Sequence, residues 1–376
     1  MLKLDRQNVS TRIKERINAD IASGRVGGAA VLVKQNGEVI YNDFFGSDGR
    51  EREINEKTLF RLASMTKPIT AIAILKQIER GLVSLDDPLE KFIPEYSEME
   101  IGALDENKNV KIIGKAKTKI TVKHLLSHSS GVGSGAISGA LDKLTASAQT
   151  NLKSVTDAYA SLPLAFDPYT DQAYSATVAF DLLARIVEIT SGVQYDEFLK
   201  KEIFEPLGMV DTTFTPTEEQ WDRMTLMHSF DGEIASFKPL NKNTIFGGQP
   251  LTYFCGGAGL ASTLSDYEKF VDMLVSRGKK ADGSQFISSE LIDLMSTPAS
   301  AHELYRGEIW GLGVRVIICT DNRIPLGSFG WSGAYGCHFW VDPTNNITAI
   351  YMKNSTYDGG SSAKTGQNLE IDVYSN

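Results

Sequence analysis

Cysteine is scarce: the chain of 376 residues holds three, Cys255, Cys319 and Cys337. So odd and sparse a set makes no disulfide framework and reads as reduced thiols, which points to a cytoplasmic setting. The opening residues, Met1-Leu2-Lys3-Leu4-Asp5-Arg6, lack the apolar stretch and small-residue cleavage site of a secretory signal. A signal peptide removed beforehand would shift that expectation to a periplasmic or secreted protein. No apolar run reaches the roughly 18 residues that a membrane-spanning helix needs. Excess positive charge is missing too. The net charge is -9, which argues against nucleic acid or an anionic membrane as main partner. No glycine-rich loop ends in Gly-Lys-Ser/Thr, so phosphate cradling is not indicated. No serine has glycine at both the -2 and +2 positions, so the nucleophile elbow of Ser-His-Asp hydrolases is absent. There is no internal repeat.

What is present is ordinary for a globular protein: 42% hydrophobic and 23% charged residues, with length enough for a large core in two lobes. The chain is organised around Phe60-Arg61-Leu62-Ala63-Ser64-Met65-Thr66-Lys67-Pro68-Ile69-Thr70. A polar turn becomes an apolar helix there, with Ile69, Ile72, Leu75, Ile78 and Leu82 at helical spacing. A helix apolar on most faces is buried. Ser64 and Lys67 fall one turn apart on one side of its start. Burial favours a neutral lysine amine, and such an amine can take a hydroxyl proton, as a serine nucleophile requires. The same two residues would also suit a capping serine followed by a lysine that reaches to solvent. Two further Ser-x-x-Lys copies, Ser276 with Lys279 and Ser361 with Lys364, open no buried helix.

Residues 5 to 22 read as an amphipathic helix. Two apolar runs about Asn36-Gly37 read as a β-hairpin. From about 86 to 250 the pattern is mostly helical and loop-rich, with helices over 177 to 191 and 195 to 204. Lys108 to Lys119 is a basic, solvated stretch. A helix at 265 to 276 and another near 288 to 295 follow. Strands are then expected over Gly311 to Ile318, Cys337 to Val341 and Ile347 to Met352, with a short polar tail after Asn354 that closes with a short element or frays. Neither the early nor the late strands suffice alone, so they must share a sheet. The expected fold is α/β (α+β): an antiparallel sheet flanked by helices and built from both chain ends, residues 1-85 and 251-376, with a mostly helical domain inserted over 86-250.

His124 and His128 stand four apart, but a zinc helix needs glutamate after the first histidine, and Leu125 is there. Helix-end polar contacts are expected instead, and sheet packing for His338. No metal and no cofactor is implied.

With Ser64, Lys67 and Tyr174 in order, and a Trp331-Ser332-Gly333 turn before the strand Ala334 to Val341, the chain resembles the serine β-lactamase and penicillin-binding-protein superfamily. Within it the likeness is to class C β-lactamase-like esterases (family VIII carboxylesterases) and D-amidase and D-peptidase relatives. It runs from about Val26 to Asn354 and includes His124-Leu125-Leu126-Ser127-His128-Ser129-Ser130-Gly131, Pro206-Leu207-Gly208-Met209 and Gly257 to Thr263. The resemblance implies a serine hydrolase working through an acyl-enzyme on a small ester, amide or lactam. Ser64 would be the nucleophile, and Lys67 and Tyr174 would share its proton. The backbone N-H groups of Ser64 and Ala334 would form the oxyanion hole, with Trp331, Ser332 and Gly333 lining the substrate site.

Two departures from the lactamase pattern matter. Trp331 stands where a substrate-binding lysine is usual, and Ala176 where an asparagine is usual. Both remove groups that hold a carboxylate-bearing lactam and favour an ester or uncharged amide. Lys364-Thr365-Gly366 matches the lactamase third motif by letters but has no strand behind it and is rejected. The alternatives are a β-lactamase or D-alanyl-D-alanine peptidase, and, outside enzymes, an inert ligand-binding protein on the same fold. Pocket shape is expected to depend on the loop at 130 to 150 and the segment at 220 to 250.

Overall fold

The computed structural model describes residues 2-145, 150-239, 252-305, 307-320 and 323-375. Its centre is an eight-stranded antiparallel sheet. The strands are β1 (Gly28–Gln35), β2 (Glu38–Gly46), β3 (Glu303–Tyr305), β4 (Glu308–Trp310), β5 (Arg315–Ile317), β6 (Phe329–Ser332), β7 (His338–Asp342) and β8 (Ile347–Met352). Their spatial order is β2-β1-β8-β7-β6-β5-β4-β3. The sheet thus joins both ends of the chain, and Val31 pairs with Tyr351 at the seam.

Alternation along the strands sorts the side chains into two cores. Ala29, Val31, Val33, Trp340, Ala349 and Tyr351 pack with helices α1 (Arg6–Ala22) and α6 (Lys364–Tyr374) on one face. Ala30, Leu32, Phe339, Val341, Ile350 and Met352 face the other way, into the core that holds α2 (Thr66–Glu79) and α5 (Leu264–Val275). Buried residues of the middle segment, among them Leu125, Leu126, Phe180, Leu183 and Tyr195, belong to that same core. The middle segment supplies α3 (Val122–Leu126) and α4 (Val178–Ser191). Its expected end near 250 lies outside the described residues.

Local chemistry accounts for several elements. Asn36 and Gly37 both take positive φ, 53° and 79°, as the tight β1-β2 turn demands. Gly192 closes α4 in the left-handed conformation. In α2, residues Thr66 to Gln77 are all buried, and Pro68 sits in the first turn, where its missing N-H is no loss.

The structure corrects two expectations. The run Gly311 to Ile318 is not one strand: Gly311 donates to the Val314 carbonyl at 2.9 Å, and Gly313, at φ +74°, folds the chain between β4 and β5. Trp331 and Ser332 are not in a turn but end β6; residues 333 to 337 form the turn, and the strand expected from Ala334 begins only at His338. The stretch from Lys108 to Lys119 is mostly exposed, as expected, and part of it, Val110–Lys115, pairs with Glu100–Leu104 in a separate hairpin. The tail closes with an element, α6, which buries Leu369, Glu370, Asp372 and Val373. Lys364-Thr365-Gly366 opens this helix, with Gly366 against the His338 ring.

Candidate active site

A one-turn 3-10 segment, Ala63–Met65, leads into α2, and Ser64 is its middle residue. Ala63 takes φ +46°, an uncommon conformation for a residue with a Cβ. Asn354 clamps the approach from both sides: its Oδ1 accepts the Arg61 N-H at 2.8 Å and its Nδ2 donates to the Arg61 carbonyl at 3.0 Å. Asn354 lies just past β8, so the late part of the sheet holds the Ser64 turn in place.

Lys67 is wholly buried. Its Nζ lies 3.4 Å from Ser64 Oγ and donates to the carbonyls of Ala176 at 2.6 Å and Gly257 at 2.9 Å. The amine is therefore held by backbone acceptors and does not reach solvent. Tyr174 donates to Ser64 Oγ at 2.7 Å. The hydroxyl, the amine and the phenol come from separate parts of the chain and meet around one oxygen. The other two Ser-x-x-Lys copies lie elsewhere, with Ser276, Lys279, Ser361 and Lys364 all exposed.

Two glycines make the Lys67 cradle. A Cβ on Gly256 would sit 2.3 Å from the Phe180 carbonyl, and one on Gly257 would sit 2.9 Å from the Ala176 carbonyl. Only glycine lets this loop lie against the start of α4. Asp181 of α4 anchors the loop, accepting from Gly256 N at 2.9 Å and from the Tyr253 hydroxyl at 2.5 Å. Thr70 Oγ1 donates to the Gly256 carbonyl at 2.6 Å. Burial pushes the Asp181 carboxyl up to about 6, opposed by its hydrogen bonds and by Lys67.

This shift has a sign that stability measurements can read. The native state binds the Asp181 proton more tightly than the unfolded chain, from 3.8 up to about 6. The native state is therefore favoured below pH about 4, and that advantage is lost as pH rises to about 6. Asp181→Asn lacks the titration. Denaturant unfolding should show wild type losing on the order of 3 kcal/mol relative to Asp181→Asn between pH about 4 and 7. A constant gap between the two proteins would contradict it.

The wall beside Tyr174 is aromatic. Its ring lies 5.9 Å from Trp310 and 5.5 Å from Trp331, and the two tryptophans are 4.4 Å apart. Trp331 is buried, and its Nε1 has no acceptor among the described residues. Ser332 departs from its expected place. As its neighbour on the strand it points the opposite way, and its Oγ lies 2.8 Å from His338 Nδ1. His338 Nε2 in turn lies 3.0 Å from Glu370, so this histidine bonds rather than merely packs. Arg315, His338 and Arg323 hold the Glu370 carboxyl low against the upward push of burial.

Gly333 follows directly on β6. A Cβ there would lie 2.2 Å from the Leu62 carbonyl. Its absence lets the end of β6 meet the Ser64 turn. Ala334, one residue on, is exposed at the tip of the β6-β7 turn.

His124 caps α3: its backbone N-H donates to Thr121 Oγ1 at 3.3 Å, and its Nδ1 accepts from Thr121 N at 3.2 Å. Among the described residues no group of three or more His, Cys, Asp or Glu is placed to hold a metal ion, and no helix is long and apolar enough to cross a membrane. Residues 146-149 and 240-251, which fall in the two segments expected to shape the pocket, lie outside the described residues. Sequence reading missed Asn354, Asp181, Gly256 and the Ala176 carbonyl, whose parts depend on long-range contact. The Gly256-Gly257 pair was the one visible signal.

The fold and this cluster place the chain in a known class: it belongs to the Beta-lactamase family, whose model matches residues 13–371. Among individual proteins it is similar to esterase EstB of Burkholderia gladioli, 27% identical over 96% of this chain and 94% of that one. Lovastatin esterase of Penicillium rubens is 25% identical over 95% of this chain and 96% of its own length. Among solved structures, EstCE1, a hydrolase with promiscuous acyltransferase activity, superposes with a TM-score of 0.81 at 22% identity, over 98% of this chain and 99% of that one.

Proposed function

We propose that the protein is a serine hydrolase that cleaves small esters through an acyl-enzyme, in the manner of a carboxylesterase. The observation that carries this reading is the meeting of Tyr174 Oη and Lys67 Nζ at Ser64 Oγ, at 2.7 and 3.4 Å. Two long, well-covered relatives named as esterases support it.

Before attack, the neutral Lys67 amine takes a proton through Ser64 Oγ and the Tyr174 phenol gives one up, leaving an ammonium beside a phenolate. Ser64 Oγ then attacks the ester carbonyl while its proton passes to Tyr174 Oη. Lys67, fixed by two carbonyls, turns its remaining bonding capacity toward the reacting oxygen. The Ser64 and Ala334 N-H groups receive the oxyanion, each contributing on the order of 3 kcal/mol. Gly333 gives the Ala334 turn its approach to Ser64. The proton then moves from Tyr174 to the departing alkoxide, leaving the acyl group on Ser64. Water repeats the sequence in reverse and frees the acid. Trp331 presents an apolar wall where a cation would draw a carboxylate, so uncharged esters fit better than lactam acids. The divisions 1-85, 251-376 and 86-250 are proposed as the sheet domain and the inserted domain. Cys255 and Cys337 are buried thiols, and a reducing, cytoplasmic compartment is proposed on the scarcity of cysteine.

The test is a substrate profile with active-site labelling. p-Nitrophenyl acetate should be hydrolysed faster than a chromogenic cephalosporin, and a fluorophosphonate should label the peptide that holds Ser64. Faster cephalosporin cleavage would favour a lactamase. Failure of both ester and fluorophosphonate to acylate would favour an inert binding protein.

A further inference from the structure

The proposed mechanism leaves one buried ionisable side chain beside its phenol unused. His128 is buried, and its ring centroid lies 4.7 Å from that of Tyr174. Its Nδ1 accepts the backbone N-H of Ser175 at 3.1 Å, and its own carbonyl accepts the N-H of Ala173 at 3.1 Å. The two bonds fall on the residues immediately before and after Tyr174. Both are possible because His128 takes φ +54°, which turns its carbonyl and its ring toward the same segment.

We infer that His128 is the positioning residue for Tyr174: it brackets the tyrosine's backbone so that the phenol reaches Ser64. The inference rests on the reading that Tyr174 moves the Ser64 proton. An acceptor at Nδ1 requires the ring proton at Nε2, and Nε2 has no acceptor among the described residues. Trp310 at 4.3 Å and Phe180 at 5.2 Å pack the ring. A second proton would place an unpaired charge in this box, close to Lys67. Burial first, and Lys67 second, accordingly hold the imidazole well below its usual range. His128 therefore stays a neutral acceptor and transfers no proton. Around it the same loop is tied further along, with Tyr169 N donating to the Ser129 carbonyl at 2.8 Å and Ala165 N to that of Gly131 at 2.8 Å. Those bonds hold the loop, whereas the His128 pair flanks the phenol.

Side-chain acceptor geometry gives the test. Asparagine at position 128 places Oδ1 near the site of Nδ1 and tolerates positive φ. Glutamine places its amide near Nε2 and leaves the Ser175 N-H unpaired. With p-nitrophenyl acetate, His128→Gln should lose at least about thirtyfold in kcat with little change in KM, because a phenol displaced by a fraction of an ångström transfers protons poorly. His128→Asn should recover to within about fivefold of wild type. In a Tyr174→Phe background, His128→Gln should lower kcat by less than about twofold further, since the group it positions is gone. Equal losses in the Asn and Gln variants, or a full additional loss in the double mutant, would show a purely structural role. Should His128→Gln not fold, His128→Asn still decides, and a loss beyond about thirtyfold in the folded Asn variant refutes the inference. Ser64→Ala is the separate control. Full activity there would remove the underlying reading, whereas an inactive Ser64→Ala beside fully active His128 variants refutes the positioning role alone.

Discussion

Ser64→Ala should fold normally and hydrolyse p-nitrophenyl acetate roughly 10,000-fold or more slowly than wild type, the scale on which removal of a serine nucleophile is felt. The substitution removes one oxygen and little else. Lys67 keeps its two carbonyl partners, Ala176 and Gly257, so the cradle survives. Tyr174 keeps its packing against Trp310 and Trp331. What disappears is the atom that carries the acyl group, together with the product burst that an accumulating acyl-enzyme gives. Residual turnover would come from substrate binding and the oxyanion donors. Initial rates and the mass of fluorophosphonate-treated protein measure this directly. A rate within tenfold of wild type would mean that another group is the nucleophile.

Lys67→Ala and Tyr174→Phe should each lower kcat by at least about a hundredfold, the usual contribution of general acid-base help. The two variants should differ in stability. Lys67→Ala leaves two carbonyls in the interior without their donor, each costing about 1 to 3 kcal/mol. Tyr174→Phe removes only a hydroxyl from a ring held by its neighbours, so its unfolding transition should barely move. A Tyr174→Phe protein that melts like wild type yet turns over poorly isolates the proton transfer from the fold. Rates near wild type in either variant would break the relay. Steady-state kinetics and thermal melts on the same preparations settle both points.

The parts of this site that could be read from the sequence are those whose spacing is local. Ser64 and Lys67 are one helical turn apart, and the apolar run behind them declares a buried helix. Tyr174 has no such local signature, and its place was legible only through order along the chain and family resemblance. Asn354, Asp181 and His128 act through bonds to backbone atoms far away in sequence, and many polar residue types can accept an N-H. The Ala176 carbonyl carries no side-chain signal at all. In the fold, the Asn36-Gly37 hairpin was plain because both turn residues favour positive φ. α6 was not, because Gly359-Gly360-Ser361-Ser362 masks the Leu369 and Val373 pair that docks it. The strand expected over Gly311 to Ile318 failed because its glycines turn the chain and do not extend it.

The pairing of Val31 with Tyr351 also governs when the protein can work during its own synthesis. A ribosome that has made β1 and β2 has made a hairpin whose β1 edge stays unpaired until β8, which begins at Ile347, is translated. Asn354, the clamp on Ser64, emerges later still. Nascent chains halted before that point should carry every proposed catalytic side chain and yet be inert, sticky and dependent on chaperones.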